Sequence, residues 1–575
     1  MRDVNTDREP ITEPTAAADD VARGGRAPRA LRAVLAMLGG LLSGASALSA
    51  AELTAAVTGP AGSPLTAVGG AVIDRTPAAV KDFAIRTFGS QDKLALQLGI
   101  VALLVLAALG LGLLAPRFRR TGAAGVLIFG VVGAAAAVER PDAGLSDAAP
   151  SAVGALVGAS VLYLLSGRLD RRAPSEGEVT TGGELTAAPG VTPPGPASVP
   201  ASAPAPPAPV PAPFDRRGFA LAAGAVAVGS AGAGLLGRQL AASRRGEAEA
   251  SRESVVLPAP ASRAAPVPRG ADLRIDGLEP FVTPNADFYR VDTALTVPRV
   301  DVRGWRLRIH GRGVARPLTL SFADLLERRL IERHITLTCV SNQVGGSYTG
   351  NARWLGVPLA SLLREAGVRP PSRGGRADQL VARSVDGMTL GSPVETVMDG
   401  RDAMLAVGMN GEALPFRHGF PVRMVVPGLY GYVSACKWLR ELELTTFDDY
   451  DVYWVRRDWG REAPVKTQSR IDTPRPLAPL RTGTVRVAGV AWAQHRGVRR
   501  VEVRVDDGPW RRAELAAEDS RDTWRQWVWE WRATPGSHRL QVRATDGDGE
   551  TQTAERAGTV PDGATGRHSV VVDVA

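Results

Sequence analysis

At 575 residues the chain is too long for one ordinary domain. Its 68 basic and 59 acidic residues leave a net charge of +9, modest for this length and without a clustered basic face or a base-reading motif, which argues against a nucleic-acid partner. Neither a zinc-ligand spacing nor a Walker loop is present.

Composition divides the chain. All 11 tryptophans and all 6 histidines lie beyond residue 300, whereas the first 240 residues are rich in Ala, Gly, Leu and Val. Apolar runs at Leu31–Ala51, Leu94–Ala115, Ala123–Val138, Ser151–Ser166 and Phe219–Gly237 approach the roughly 20 residues that cross a bilayer. The pattern therefore predicts a cytoplasmic tail over 1–30, four membrane helices within 31–166, and a fifth over 214–241. Arginines flank these runs at Arg23, Arg26, Arg29 and Arg32, at Arg117, Arg119 and Arg120, at Arg168, Arg171 and Arg172, and at Arg216 and Arg217. By the positive-inside rule the N-terminus is cytoplasmic and everything after the fifth helix is outside. The linker over 167–213 is cytoplasmic on this reading, and its Pro-rich stretch Val191–Pro213 spans about 70 Å as a semi-rigid extended chain. Phe214-Asp215-Arg216-Arg217-Gly218-Phe219 resembles a twin-arginine export signal placed inside the chain. Residues 242–271, charged and then Pro-rich, read as a stalk. With no histidine in the spans, a bis-imidazole haem within them is not expected, and no carboxylate or lysine marks an ion path.

From Asp272 to 472 the pattern is α+β. Short alternating strands (Leu307–Ile309, Leu380–Ala382, Val422–Val426) mix with short helices such as Ser321–Arg328, where Ser321 and Asp324 form a capping pair, and Pro358–Ala366. Over 473–575 only strands and Asp-Gly turns follow, the signature of a β-sandwich. In the α+β part, Ile335, Leu337 and Cys339 alternate along a strand that opens into a Gly-rich loop. Cys339 reads either as a buried small hydrophobe or as a ligand or nucleophile. The other thiol, Cys436, lies in the stretch His418–Trp438, and an exported chain with two cysteines could instead pair them. Arg423 sits inside an apolar run and so reads as buried, while Gly428 and Gly431 let backbone approach a ligand.

Seven motifs occur in order: Asn285-Ala286-Asp287-Phe288-Tyr289-Arg290, Cys339-Val340-Ser341-Asn342, Ala352-Arg353-Trp354, Asp386-Gly387, Met409-Asn410-Gly411-Glu412, His418 through Arg423, and Lys437-Trp438-Leu439. Together they resemble the sulfite oxidase superfamily over roughly 270–575. The resemblance implies an α+β molybdopterin domain followed by an immunoglobulin-like dimerisation domain at 473–575, and a molybdenum-molybdopterin cofactor. It places Cys339 as the protein ligand of the metal, a soft thiolate suited to that centre. Arg423 and Lys437, with His418 beside them, become the donors to the cofactor; Asn285, Phe288, Tyr289, Asn342, Asp386, Ser434 and Cys436 join the binding set. Arg290 and Arg353 become candidates for an anionic substrate pocket.

The chain departs from sulfite oxidases where Gln343-Val344 replace an arginine pair, and where Ala406, Val407 and Gly408 replace a catalytic tyrosine. Tyr348, Tyr430 and Tyr432 are substitutes to consider for that phenol. The expected activity is two-electron oxygen-atom transfer outside the membrane on a small oxyanion or sulfoxide-type substrate, with a separate cytochrome or quinone-linked protein as electron carrier. The alternatives are a reductase of sulfoxide-type substrates, or a non-catalytic membrane scaffold that keeps the fold.

Overall fold

The computed structural model describes residues 16–59, 62–77, 80, 87, 92–140, 144–170 and 215–575; the first fifteen residues and the Pro-rich linker lie outside them. The chain forms two compact units, one of 1–138 with 144–239 and one of 139–143 with 240–575.

The first unit is helical: α1 (Ala16–Thr58), α2 (Pro64–Arg75), α3 (Asp92–Leu114), α4 (Arg119–Val138), α5 (Ala149–Asp170) and the start of α6 (Arg216–Glu253). Among the described residues five helices are long and apolar enough to cross a membrane; they coincide with the five apolar runs read from the sequence, the second ending at Leu114, one residue short of its run. α2 was not anticipated; it opens on Pro64, whose fixed φ suits a first helical position. Small residues let these helices touch backbone to backbone. A Cβ added at Gly40 of α1 would lie 2.0 Å from the Ala108 carbonyl oxygen of α3, and one at Gly112 would lie 2.4 Å from that of Ala36. Ser43 Oγ donates to the Gly158 carbonyl at 2.7 Å, tying α1 to α5. Asp215 caps α6 by accepting from Gly218 N at 2.7 Å, which sets Arg216 and Arg217 in its first turn.

In the second unit, the last turns of α6 are fastened by Arg252, which donates to the carbonyls of Leu414 at 2.8 Å and Ala413 at 2.7 Å. The stretch expected as a stalk is instead part of the folded body. It is helical to Glu253, then Val255 and Leu257 pack on the core, Ala261 N donates to Leu330 O at 2.8 Å, and Ala271 is buried. Its scattered apolar residues and free backbone donors allow a Pro-rich ribbon to lie on the body.

The α+β body has two sheets. One is ordered β2 (Leu318–Ser321), β1 (Arg306–Gly311), β10 (Leu439–Thr445), β5 (Gln379–Ser384), β6 (Thr389–Pro393); the other is ordered β3 (Ile331–Thr338), β4 (Thr349–Pro358), β7 (Met404–Met409), β8 (Glu412–Ala413), with β9 (Arg423–Val425) also paired to β7. The expected Ser321 cap forms: Asp324 N donates to Ser321 Oγ and Ser321 N to Asp324 Oδ2. The β-rich remainder begins at Gln468, slightly before the expected boundary. A four-stranded sheet (Gln468–Thr473, Gly483–Trp492, Arg525–Ala533, Glu514–Leu515) and a five-stranded one (Pro479–Leu480, Ser569–Val574, Gly536–Asp546, Val498–Val505, Arg511–Arg512) share a core that includes Val487, Val501, Trp527 and Val542.

β3 is an edge strand, and the sandwich covers its open side. Thr336 N donates to Asp522 O at 3.0 Å, Gln494 Nε2 donates to Thr336 O at 3.1 Å, and Trp524 N donates to Thr336 Oγ1 at 2.7 Å. Within the sandwich, His568 Nδ1 accepts from Ile471 N at 3.0 Å, and burial, with Arg470 and Arg556 nearby, holds this imidazole down to about 4.

Two predictions follow from this packing. Gly40→Val should push α1 off α3 and lower the unfolding temperature of the detergent-solubilised chain, read by circular dichroism. Because the folded state keeps His568 neutral while the unfolded chain protonates it, its contribution is intact above about pH 6.5 and declines by about 3 kcal/mol as the pH falls to about 4. Denaturation midpoints across that range should fall less steeply in His568→Gln than in the native chain.

Candidate active site

Cys339 follows directly on β3, and its loop is pinned by three bonds. Cys339 N donates to Tyr348 O at 2.9 Å, Asn342 N to Cys339 O at 3.1 Å, and Tyr348 N to Asn342 Oδ1 at 2.9 Å. The thiol lines a cavity of about 130 Å³. The connection from β9 to β10 supplies a second wall with Gly431, Tyr432, Cys436 and Lys437, and Phe288, Tyr289 and Asp292 supply a third. Gly419 has φ +113°, and a Cβ there would sit 3.0 Å from the Cβ of Lys437 and 3.1 Å from that of Arg423. A glycine therefore lets the two cationic side chains leave the backbone side by side.

Arg423 is only 6% exposed. Its Nη1 donates to His418 O at 3.3 Å, its guanidinium lies 5.1 Å from the Trp354 ring centroid, and its buried Nε has no hydrogen-bond partner among the described residues. Burial draws its proton affinity down to about 10. Lys437 Nζ donates to Asp292 Oδ2 at 2.7 Å; burial and the charge of Arg423 pull the ammonium down to about 8 against the opposing carboxylate. His418 Nε2 donates to Asn285 O at 2.9 Å, and burial holds the ring down to about 3, so it is neutral. Burial pushes the Cys339 thiol up, opposed by Ser341, whose Oγ lies 2.8 Å from Sγ. Cys436 and Tyr289 are likewise raised by burial. Both cysteines are free thiols.

Of the residues singled out from sequence, Phe288, Tyr289, Cys339, Asp386, His418, Arg423, Cys436 and Lys437 line the cavity. The others stand behind it. Asn285 reaches the site only through its carbonyl on His418, its side chain donating to Glu412 Oε1 at 2.6 Å. Asn342 staples the Cys339 loop, and Ser434 Oγ donates to Leu429 O and Tyr430 O. Arg290 is one step back, with Nε and Nη2 on the two oxygens of Asp292 at 2.7 and 3.1 Å.

Arg353 is a correction to the expected substrate pocket. It is 3.5 Å from Glu332 and 42% exposed, on the strand face opposite to the buried Trp354. Of the three tyrosines considered, only Tyr432 lines the cavity, and its hydroxyl donates to Gly460 O at 2.6 Å. Asp292, Ser341, Trp454 and Trp459 line it without having been anticipated.

Residues 294–454 match the family described as oxidoreductase molybdopterin binding domain. Mitochondrial sulfite oxidase of Mus musculus is 32% identical over 294 residues, 44% of this chain and 53% of that protein. The uncharacterized oxidoreductase YuiH of Bacillus subtilis is 31% identical over 159 residues, 28% of this chain and 74% of that protein. The solved sulfane dehydrogenase SoxCD from Paracoccus pantotrophus is 25% identical with a TM-score of 0.44, covering 52% of this chain and 84% of that one. The chain belongs to the sulfite oxidase superfamily of molybdopterin-binding oxidoreductases. It spans about half the length of the mouse sulfite oxidase.

The family implies a molybdenum-molybdopterin cofactor, and the cavity fits one. A buried guanidinium with an unused donor, an ammonium beside it and a free soft thiol in the same space suit an anionic group that brings a metal. Arg423→Met should therefore have opposite effects on the two forms of the protein. Cofactor-free protein should gain about 1–3 kcal/mol of stability, since an underpaired buried charge is removed. Molybdenum retained per chain should fall at least about tenfold, measured by elemental analysis.

Proposed function

We propose that the protein is a membrane-anchored oxidoreductase whose molybdopterin domain works outside the cytoplasm. The observation that carries this reading is the joint burial of Arg423, Lys437 and Cys339 around one cavity. Arg423 and Lys437 would hold the phosphate of the pterin, Asp386 and nearby backbone its polar edge, and Cys339 the metal. When bound, the cofactor would supply a centre that exchanges two electrons together with an oxygen atom. Cys339, raised as a free thiol, would give up its proton on coordination, as metal-bound thiols do. Asp292 orients Lys437 and is itself held by Arg290, so the ammonium cannot swing out of the cavity. Phe288, in the cavity wall and lying edge-on to Trp354 and His418 at 5.8 and 5.6 Å, would help to exclude water from the site.

Five apolar helices with arginine-rich flanks support anchoring in a bilayer with the N-terminus cytoplasmic. The arginine pair at the start of α6 supports export of the folded, cofactor-loaded domain. Two face-packed sheets support an immunoglobulin-like C-terminal domain able to form a homodimer. Electrons would pass one at a time to a separate carrier, a cytochrome or a quinone-linked protein.

The test is metal content and turnover in the full-length protein from a cofactor-proficient host. We expect about one molybdenum per chain, consistent with a single thiol ligand. Cys339→Ser should keep the fold and lose at least about a hundredfold in turnover with a dye donor or acceptor. Native activity in that variant would remove the ligand assignment, and a wild-type chain without molybdenum would favour a scaffold.

A further inference from the structure

The outer face of the five-stranded sheet in the sandwich gathers charge that the order of the chain conceals. Along Val498–Val505 the residues Val501 and Val503 enter the core, so Arg500, Glu502 and Arg504 turn outward. The neighbouring strand Gly536–Asp546 sets Arg543 opposite Glu502 and Gln541 opposite Arg504, and on the other flank Arg512 pairs with Glu502. Arg567, just before strand Ser569–Val574, joins them. The guanidiniums of Arg543, Arg504 and Arg567 stand 4.3, 4.9 and 5.1 Å from the ring centroid of one residue, Trp510. They come from three separate segments, which is why the sequence shows no basic run.

The cluster is short of counter-ions. Glu502 accepts from Arg543 Nε at 2.9 Å and lies 3.6 Å from Arg500 Nε, so its charge is already shared. Arg504 Nε donates to the neutral Gln541 Oε1 at 2.9 Å. The guanidinium of Arg567 has no hydrogen bond or ion pair among the described residues, and its Nε is buried; burial and the charges of Arg543 and Arg504 both weaken its hold on its proton. Attraction to a ring face offsets such crowding of like charges only in part. Stacking on Trp510 also holds the guanidiniums in place before a partner arrives, which lowers the cost of ordering long side chains at an interface. Tryptophan beside arginine is the usual composition of an interface anchor. A lipid surface fits less well, because the indole that would enter the headgroup layer has its ring occupied by guanidiniums.

We propose that this face is a docking surface for an acidic protein, whose Asp and Glu side chains are received by the forks of Arg504, Arg543 and Arg567 around Trp510. Planar guanidiniums meet carboxylates two bonds at a time. The face borders the segment behind the Cys339 loop: His568 follows Arg567 directly, and a Cβ at Gly345 would come 2.1 Å from the Cδ2 of His568. The inference draws on the sandwich alone, so its failure would leave the oxidoreductase reading untouched.

The test is fluorescence anisotropy of a short labelled poly-L-glutamate with the full-length protein in neutral-lipid nanodiscs, with heparin and phosphatidylglycerol vesicles as the other probes. Saturable binding of poly-L-glutamate that salt weakens is expected. Arg567→Gln should weaken it about tenfold. Arg543→Lys combined with Arg567→Lys keeps every charge but loses the forks, and should still weaken it at least about fivefold. Arg373→Gln, which removes the same charge from an exposed position on the α+β body, should leave it unchanged. Should Arg567→Gln fail to fold by circular dichroism, the lysine pair carries the test. No binding of poly-L-glutamate, native binding in the lysine pair, or an equal loss in Arg373→Gln overturns the proposal. So does binding of heparin or the vesicles, weakened by the same substitutions, where poly-L-glutamate does not bind.

Discussion

A guanidinium withdrawn from water and almost without a partner governs the α+β body. Arg423 has one long hydrogen bond to a carbonyl and the face of Trp354, and its Nε is left over. Isolated buried charges cost several kcal/mol, so sequences rarely keep them without a counter-ion. Here Asp292, a carboxylate of the same cavity, is spent on Lys437 and Arg290. The fold thus stores an electrostatic deficit at the place where an anionic cofactor would relieve it, and stability of the empty protein is given up for affinity.

The surrounding elements serve to keep that deficit in register. Gly419 brings Arg423 and Lys437 together, Trp438 adopts φ +50° with its indole donating to Phe416 O, and the carbonyl of Asn285 fixes His418 with its Nε2 proton turned away. Across the cavity, the stapled loop after β3 holds the thiol at the end of a rigid strand, where a side chain is placed more firmly than on a free loop.

Much of this was legible in the chain. Apolar runs gave the five long helices, a run of Val and Met around Arg423 gave its burial, and alternation from Ile335 gave the strand that ends at Cys339. Other parts were legible but overlooked. Trp354 and Arg353 are neighbours on β4, so if the indole is buried the arginine must face the other way, and period-two geometry alone removes it from the cavity. Asp292, two residues after Arg290, was readable as a partner for that arginine. The contacts that could not be read are long-range ones: Asp292 meets Lys437 across 145 residues, and the indoles of Trp454 and Trp459 reach the cavity from a segment without a strand or long-helix period. Ser434 shows a further ambiguity. A serine among glycines can hold a ligand or close its own helical turn, and only the fold says which.

The covering of β3 has a consequence for the pairing of the α+β body with the sandwich. Thr336 sends its amide, its carbonyl and its hydroxyl to the sandwich, so the strand leading to Cys339 borrows its outer border from residues that come almost two hundred positions later. Recombination that exchanged the C-terminal module for an unrelated one would leave that border raw, ready to zip onto a stranger's backbone and unmoor the sulfur from its place.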